Sequence, residues 1–64
     1  MNIHCGEKLQ AAMARKGCSG VELARRLKIT PQQVSRWRRQ QNFGIKRMVE
    51  ICEALEMDIS EFLS

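Results

Sequence analysis

The chain has 64 residues, enough for one small domain but too few for an enzyme cleft with its own supporting shell. No apolar run approaches the ~18 residues of a membrane span and no signal-peptide pattern is present, so we expect a cytoplasmic protein without membrane contact. The net charge of +4 is uneven: residues 15–47 hold ten Lys/Arg and one acid, and residues 48–64 hold five acids and no base. This asymmetry favours a polyanionic partner such as nucleic acid.

The three cysteines, Cys5, Cys18 and Cys52, form no CxxC pair and no ligand cluster with the single histidine, His4. We therefore expect reduced thiols that fill the core, and no metal, cofactor or small-molecule ligand. His4 and Cys5 could not share one metal ion on a helix, because successive helical residues point about 100° apart.

Five helical segments are predicted in chain order. The first runs from about Asn2, as N-cap, to Lys16, and it stops at Gly17, a residue type that adopts the left-handed conformation easily. Its apolar stripe consists of Cys5, Leu9, Ala12 and Met13.

The second helix is predicted to begin after Ser19, which forms a capping box with Glu22, and to end near Lys28. Its apolar stripe consists of Val21, Ala24 and Leu27, with Leu23 beside it.

The third helix, predicted over residues 30–39 or 30–40, carries the most informative pattern. Thr30 is a good N-cap, and Pro31 stands at the first position, where a missing N–H costs nothing. Val34 and Trp37 point to one side of this helix, which we expect to face the core. The opposite side carries Gln32, Arg36 and Arg39.

Amide and guanidinium groups form bidentate hydrogen bonds with adenine and guanine edges in the DNA major groove. No acid interrupts this side of the third helix, whereas an ordinary solvated helix mixes Glu with Lys. The pattern therefore predicts a module that binds double-stranded DNA sequence-specifically, with Gln32 and Arg36 contacting bases. Gln33 either folds back onto Thr30 in a capping box or contacts DNA.

The fourth helix is predicted over residues 45–56, after a loop at residues 41–44, and Asp58 and Glu61 cap a short last turn. Phe43 in the loop either packs under the fourth helix or contacts a second subunit. With no strand pattern and no repeat, the predicted fold is all-α and compact. The apolar stripe of the fourth helix consists of Ile45, Met48, Val49, Cys52 and Leu55, widened by Ile51.

Seven distinct segments, spread over nearly the whole chain from about residue 5 to residue 64, carry a family resemblance. They are Gly6-Glu7-Lys8-Leu9, Gly17-Cys18-Ser19, Glu22-Leu23-Ala24, Ile29-Thr30, Val34-Ser35-Arg36-Trp37, Asn42 and Ile51-Cys52-Glu53-Ala54-Leu55. They resemble the lambda-repressor-like family of helix-turn-helix proteins, which includes Cro, phage repressors and Xre-type regulators. The resemblance implies a single five-helix domain over residues 1–64, with the helix-turn-helix at about residues 19–39. It also implies operator binding as a two-fold dimer, with the start of the third helix in the major groove.

By this resemblance the expected base-reading residues are Pro31, Gln32, Gln33 and Arg36. The expected phosphate-binding residues are Ser19, Ser35, Arg38, Arg39, Gln41, Asn42, Lys46 and Arg47. The chain departs from its relatives where Met13 and Arg38 replace a common Arg–Glu pair, and where Gln40 replaces a glycine. We expect the stem of Arg38 to pack while its head reaches solvent or a phosphate.

A homodimer is expected, with contacts in the C-terminal third at Phe43, Met57, Ile59 and Phe62. Because we expect no second domain to sense a ligand, the predicted function is a Cro-like repressor of phage or plasmid type. Two alternatives stay open. One is a protein-interaction module of the same fold, antitoxin- or anti-repressor-like, and the other is an RNA-binding helical module, which the lack of exposed aromatic residues disfavours. An enzyme is the poorest alternative, since no nucleophile–base pair is present.

Overall fold

The structure is a computed structural model that describes residues 4–64. Within these residues the chain forms five α-helices and no strand, which confirms the predicted all-α class. None of these helices is long and apolar enough to cross a bilayer. The helices are α1 (Cys5–Lys16), α2 (Gly20–Leu27), α3 (Pro31–Trp37), α4 (Ile45–Leu55) and α5 (Ile59–Leu63).

The starts of the first three helices follow from side-chain caps, whereas Gly44 and Asp58, the N-cap residues of α4 and α5, make no side-chain cap hydrogen bond. Ser19 Oγ accepts the Glu22 backbone N–H at 3.1 Å, and Thr30 Oγ1 accepts the Gln33 N–H at 3.3 Å, as predicted. The N-cap of α1 is His4, whose Nδ1 accepts a backbone N–H at 3.2 Å. The cap predicted at Asn2 lies outside the described residues, and α1 begins at Cys5.

Three helices end with a residue in the left-handed conformation. Gly17 has φ 61°, as its sequence position predicts, whereas Lys28 (φ 60°) and Glu56 (φ 57°) adopt the same conformation with a side chain. The third helix was predicted to reach residue 39 or 40, but it ends at Trp37. Beyond this point the Arg39 and Gln40 N–H groups bond to carbonyls three residues earlier, so a tight turn replaces the last helical turn.

One hydrophobic core joins all five helices. Leu9, Leu23, Val34, Ile51 and Phe62 are completely buried, so each helix supplies at least one of these side chains. The cysteines Cys5, Cys18 and Cys52 are buried and free, which confirms that they fill the core. Within residues 4–64, no group of His, Cys, Asp or Glu side chains has the arrangement to hold a metal ion.

Two predicted apolar stripes are partly wrong. Val21 of α2 is 56% exposed, and Ile45 and Val49 of α4 are 68% and 42% exposed. The core side of α4 is set by Ile51, Cys52 and Leu55, and Val49 lies roughly a third of a turn away from the centre of that side. The apolar stripes predicted from the sequence were thus wider than the area that the neighbouring helices cover.

The residues predicted as dimer contacts are mostly buried within the domain. Phe43, Met57 and Phe62 belong to the core, and Ile59 is half-buried against it. A domain of five short helices needs its largest apolar side chains in the interior, so these residues leave little apolar surface for a second subunit. Of the two alternatives for Phe43, the structure supports packing.

Candidate nucleic-acid interface

The third helix has one buried and one exposed side, as its sequence predicts. Val34 is fully buried and Trp37 is 7% exposed, while Gln32 and Arg36 point to solvent. Because α3 is only seven residues long, Val34 and Trp37 alone form its buried side. The amide and guanidinium groups are consequently presented outward from a helix whose other side is fixed in the core.

Four of the predicted contact residues meet in one place. The side chains of Gln32, Ser35, Arg36 and Arg39 line a single shallow depression on the outer side of α3. Ser35 is half-buried, and the other three are exposed. This depression offers hydrogen-bond donors of three kinds, hydroxyl, amide and guanidinium, without an acid among them.

The start of α3 is held by α2. A Cβ atom at Gly20 would lie 3.7 Å from Val34 Cγ1, so the two helices approach closely at this point. Lys28 turns the chain in its left-handed conformation, and the Ile29 N–H then bonds to the Ala24 carbonyl at 2.9 Å. The angle between the two helices is therefore fixed by backbone contacts as well as by the core.

The side-chain half of the predicted capping box is absent. The Gln33 backbone N–H is bound to Thr30 Oγ1, but in residues 4–64 the Gln33 amide makes no hydrogen bond back to Thr30. Gln33 and Pro31 are exposed at the first turn of α3. The Gln33 side chain is therefore free to contact a ligand in front of that turn.

The loop after α3 is fixed by the start of α1. The backbone N–H groups of Cys5 and Gly6 donate to the carbonyls of Gln41 and Gln40, each at 2.9 Å, and Gln10 Nε2 donates to the Arg38 carbonyl at 3.4 Å. These bonds use the free N–H groups of the first helical turn. Gln40 stands where the family resemblance leads us to expect a glycine. Its φ is not positive, so its side chain causes none of the strain that a left-handed turn would impose.

Gly6 makes this docking feasible and was missed as a structural residue. A Cβ at this position would lie 2.7 Å from the Gln40 carbonyl oxygen and would collide with the Arg38 carbonyl. A glycine inside a helical pattern was the available signal, because such a residue often marks a close backbone approach.

An aromatic cluster joins α3 to the start of α4. The rings of Trp37 and Phe43 lie 6.3 Å apart at 56°, and the Arg47 guanidinium stacks over Trp37 at 4.5 Å from the ring centroid. This stacking fixes the position of Arg47 and was not predicted. Arg47 is in no ion pair among residues 4–64, so its guanidinium remains able to bind an anion.

Apart from Lys28, which follows α2 and is in no ion pair, the basic residues of the described chain fall into two groups. On α1 and α2 the cations bond internally: Lys16 pairs with Glu61, and Arg25 and Arg26 pair with Glu22. The remaining group, on α3, the loop and α4, has no acidic partner within 4.0 Å among residues 4–64. This second group consists of Arg36, Arg38, Arg39, Lys46 and Arg47, all of which were predicted to contact DNA.

Other predicted phosphate contacts lie around the same surface. Gln41 and Asn42 are exposed in the loop, and Ser19 is exposed at the start of α2. Arg38 is half-buried, which matches a packed stem with an outward head. Gly44, Lys46, Arg47 and Glu50 line a further depression at the start of α4.

The sequence profile of the Cro/C1-type HTH (helix-turn-helix) DNA-binding domain matches residues 8–64. The chain belongs to this family. The predicted membership in the lambda-repressor-like class is thereby confirmed. The protein is a helix-turn-helix DNA-binding domain, and its exposed α3 surface is the candidate contact with the duplex.

A solved structure has the same fold. The restriction-modification controller protein C.AhdI from Aeromonas hydrophila superposes with a TM-score of 0.77 at 23% identity, covering 94% of this chain and 92% of that chain. No curated protein sequence matches the chain. At this identity the likeness concerns the backbone architecture, so the contacts of the domain must be argued from its own side chains.

Proposed function

We propose that this domain is a transcriptional regulator that reads a near-palindromic operator in double-stranded DNA. The observation that carries the proposal is the exposed amide and guanidinium side of α3, opposite the buried Val34 and Trp37. A helix held rigidly from behind, with donors and acceptors in front, meets the geometric requirement for reading base edges in a major groove.

Base reading is assigned to the first turns of α3. Gln32 has the amide geometry for a bidentate contact with adenine, and Arg36, one turn later on the same side, has the geometry for guanine. Gln33 supplies a second amide beside them. Pro31 offers only apolar contact at the first position of the helix.

Phosphate binding is assigned to the residues that border α3. Charged contacts come from Arg38, Arg39, Lys46 and Arg47, whose charges are not neutralised within the described chain. Polar contacts come from Ser19, Ser35, Gln41 and Asn42. These residues set the orientation on the duplex and supply the salt-sensitive part of the affinity.

Two copies would place two α3 helices in successive major grooves, about 34 Å apart. The expected mode of action is occupancy, in which a Cro-like dimer on its operator excludes polymerase. The likeness to a restriction-modification controller supports a regulatory role of this general kind.

The test selects bound sites from a random duplex pool at a stated salt concentration and then measures variants on the selected site. Arg36→Ala should weaken binding by about 1–3 kcal/mol and relax the preference at one base pair. Arg15→Ala removes the same charge from α1, where the guanidinium bonds to the Glu61 carbonyl at 3.3 Å, and it serves as the control.

If the selected duplexes share no sequence, α3 does not read bases. The same conclusion follows if Arg36→Ala and Arg15→Ala lose equal affinity on selected and on random DNA. A shallow salt dependence would favour the alternative of a protein-interaction module, because a protein-only binder releases few counterions.

A further inference from the structure

One cation at the junction of α3 and α4 lies on an aromatic ring. The guanidinium carbon of Arg47 is 4.5 Å from the centroid of the Trp37 ring, and the Phe43 ring lies 6.3 Å from that of Trp37. Trp37 is the last residue of α3, and Arg47 is the third residue of α4. The contact therefore joins two helices across the loop of residues 38–44.

The ring beneath Arg47 is held firmly in the core. Trp37 is 7% exposed and Phe43 is 6% exposed, and Val34 packs on the same side of α3. A long basic side chain on a surface ordinarily samples many rotamers. Arg47 is half-buried, whereas its neighbour Lys46 in the same helical turn is exposed. The tryptophan thus restricts one basic side chain of this turn and leaves the other unrestricted.

The position of Arg47 does not favour the stability of its own helix. The first turn of α4 carries Lys46 and Arg47 and no acid, and its N-cap Gly44 makes no side-chain hydrogen bond. Cations are unfavourable at the positive end of a helix dipole. Among residues 4–64, no ion pair or hydrogen bond occupies the Arg47 guanidinium. A restrained cation with all its donors unused, at the positive end of a helix, is suited to binding an anion.

We propose that Trp37 is a positioning residue for phosphate binding, because its ring holds the Arg47 guanidinium in place before a duplex arrives. This inference rests on the proposed function, which assigns Arg47 to a DNA phosphate. It gives Trp37 a role in binding as well as in the core, so the residue that anchors α3 also fixes a phosphate contact on α4.

Positioning and charge have different consequences for binding. A side chain that is already restrained loses less conformational entropy when it binds, so positioning raises affinity at every salt concentration. The salt dependence counts only the cations that neutralise phosphates. Lysine has the same charge as arginine but lacks the planar guanidinium that packs on an aromatic ring. Substitution by lysine therefore separates the two contributions.

Arg47→Lys should weaken binding to selected and random duplexes alike by about 2- to 12-fold, the cost of immobilising one side chain. The slope of log affinity against log salt concentration should stay unchanged, because the charge is kept. Arg39→Lys is the matched control, since Arg39 is exposed and lies on no aromatic ring within the described chain. It loses the same guanidinium donors and should weaken binding less.

A double-mutant cycle connects the effect to the ring. Trp37→Phe keeps an aromatic side chain in the core but attracts a cation less strongly. In the Trp37→Phe background, Arg47→Lys should lose less affinity than it does in the unaltered chain. Arg39→Lys should lose the same affinity in both backgrounds. A purely structural role of Trp37 would leave both losses unchanged between the backgrounds.

The fluorescence of the free domain tests the contact without DNA and without altering the core. Trp37 is the single tryptophan of the chain, so the emission reports on this ring alone. Arg47→Ala should shift the emission to longer wavelength, because water then reaches the ring face that the guanidinium covered. Lys46→Ala removes a cation from the same helical turn and should leave the emission unchanged.

Equal losses of affinity in Arg47→Lys and Arg39→Lys would overturn the positioning role and leave the proposed function standing. An unshifted emission in Arg47→Ala would overturn it as well. If the unaltered chain bound no duplex, the proposed function and the positioning role would both fail, while the emission would still show whether Arg47 covers Trp37.

Discussion

At the scale of single residues, the left-handed helix ends are the clearest sites of stored strain. Glu56 ends α4 at φ 57° with a full side chain, while its N–H bonds to a carbonyl of the helix at 3.2 Å. An L-residue in this conformation carries a penalty of about 1 kcal/mol that glycine avoids. The bonds that close the helix end hold the residue in place in spite of this penalty.

Glu56→Gly should therefore stabilise the domain by about 0.5–1 kcal/mol, raising its Tm by several degrees. Thermal unfolding followed by circular dichroism measures the change. Glu56→Ala is the matched control, because it also removes a carboxylate from the acidic C-terminal region but keeps a Cβ at the strained position. Equal gains in the two variants would assign the effect to charge and not to backbone conformation.

Cys52 gives the domain a dependence on alkaline pH. Burial raises the pKa of this thiol above its ordinary value, and the carboxylates of Asp58 and Glu61 raise it further. The unfolded chain thus loses the thiol proton at a lower pH than the folded chain does. The contribution to stability is complete below the ordinary thiol pKa of about 8.5 and is lost as the pH rises through the folded value.

The expected outcome is a steeper fall in the free energy of unfolding above about pH 8.5 for the unaltered protein than for Cys52→Ala. Urea denaturation at a series of pH values measures both curves. The comparison uses the slopes, because the truncation also lowers the stability of the variant at every pH. Parallel curves would show that the folded thiol titrates in its ordinary range.

At the scale of elements, the docking of α1 on the loop after α3 links the core to the exposed side of α3. Gly6→Ala would drive a methyl group into the Arg38 and Gln40 carbonyls, both of which are backbone atoms that cannot rotate away. We expect a loss of about 1–3 kcal/mol in the free energy of unfolding, measured by urea denaturation.

The control for this prediction is Gly44→Ala. Gly44 lies at the start of α4 with negative φ, and a Cβ there would have no neighbour within 4 Å. Its substitution should cost at most about 1 kcal/mol, because alanine is only a poorer N-cap than glycine and meets no steric clash. If both alanine variants unfolded at the same denaturant concentration, the close approach of α1 to the loop would not be a source of stability.

The helices were predictable because their signals are local. Ser19, Thr30 and Pro31 specify the starts of α2 and α3 through contacts within three residues, and Val34 and Trp37 define the buried side of α3 by spacing alone. For the same reason, spacing alone predicted which side chains α3 exposes. The predicted DNA-binding class agrees with the family to which the chain belongs.

The parts that sequence reasoning missed depend on which helices become neighbours. The exposure of Ile45 and Val49 follows from how far α5 and α2 reach along α4, which periodicity cannot show. Likewise, the stacking of Arg47 on Trp37 joins residues ten positions apart across a loop. The early end of α3 at Trp37 is of the same kind, because the carbonyls beyond it are bound by α1.

At the scale of the whole molecule, the division of the basic residues predicts how binding responds to salt. Internal partners occupy the cations of α1 and α2, whereas Arg39 and its neighbours around α3 remain available to phosphates. Each cation that neutralises a phosphate contributes about 0.9 to the slope of log affinity against log salt concentration. The number of contacts can therefore be counted residue by residue.

Arg39→Ala should reduce this slope by about one, and it should weaken binding to selected and random duplexes alike, because a phosphate contact carries no base preference. Fluorescence anisotropy between 50 and 200 mM salt, a range in which such slopes are well determined, provides the measurement. Arg15→Ala is matched in charge and size, but its guanidinium is held against α5, so its slope should equal that of the unaltered protein. A slope reduced to the same extent in both variants would mean that the net charge of the domain, and not the cations around α3, governs its attraction to DNA.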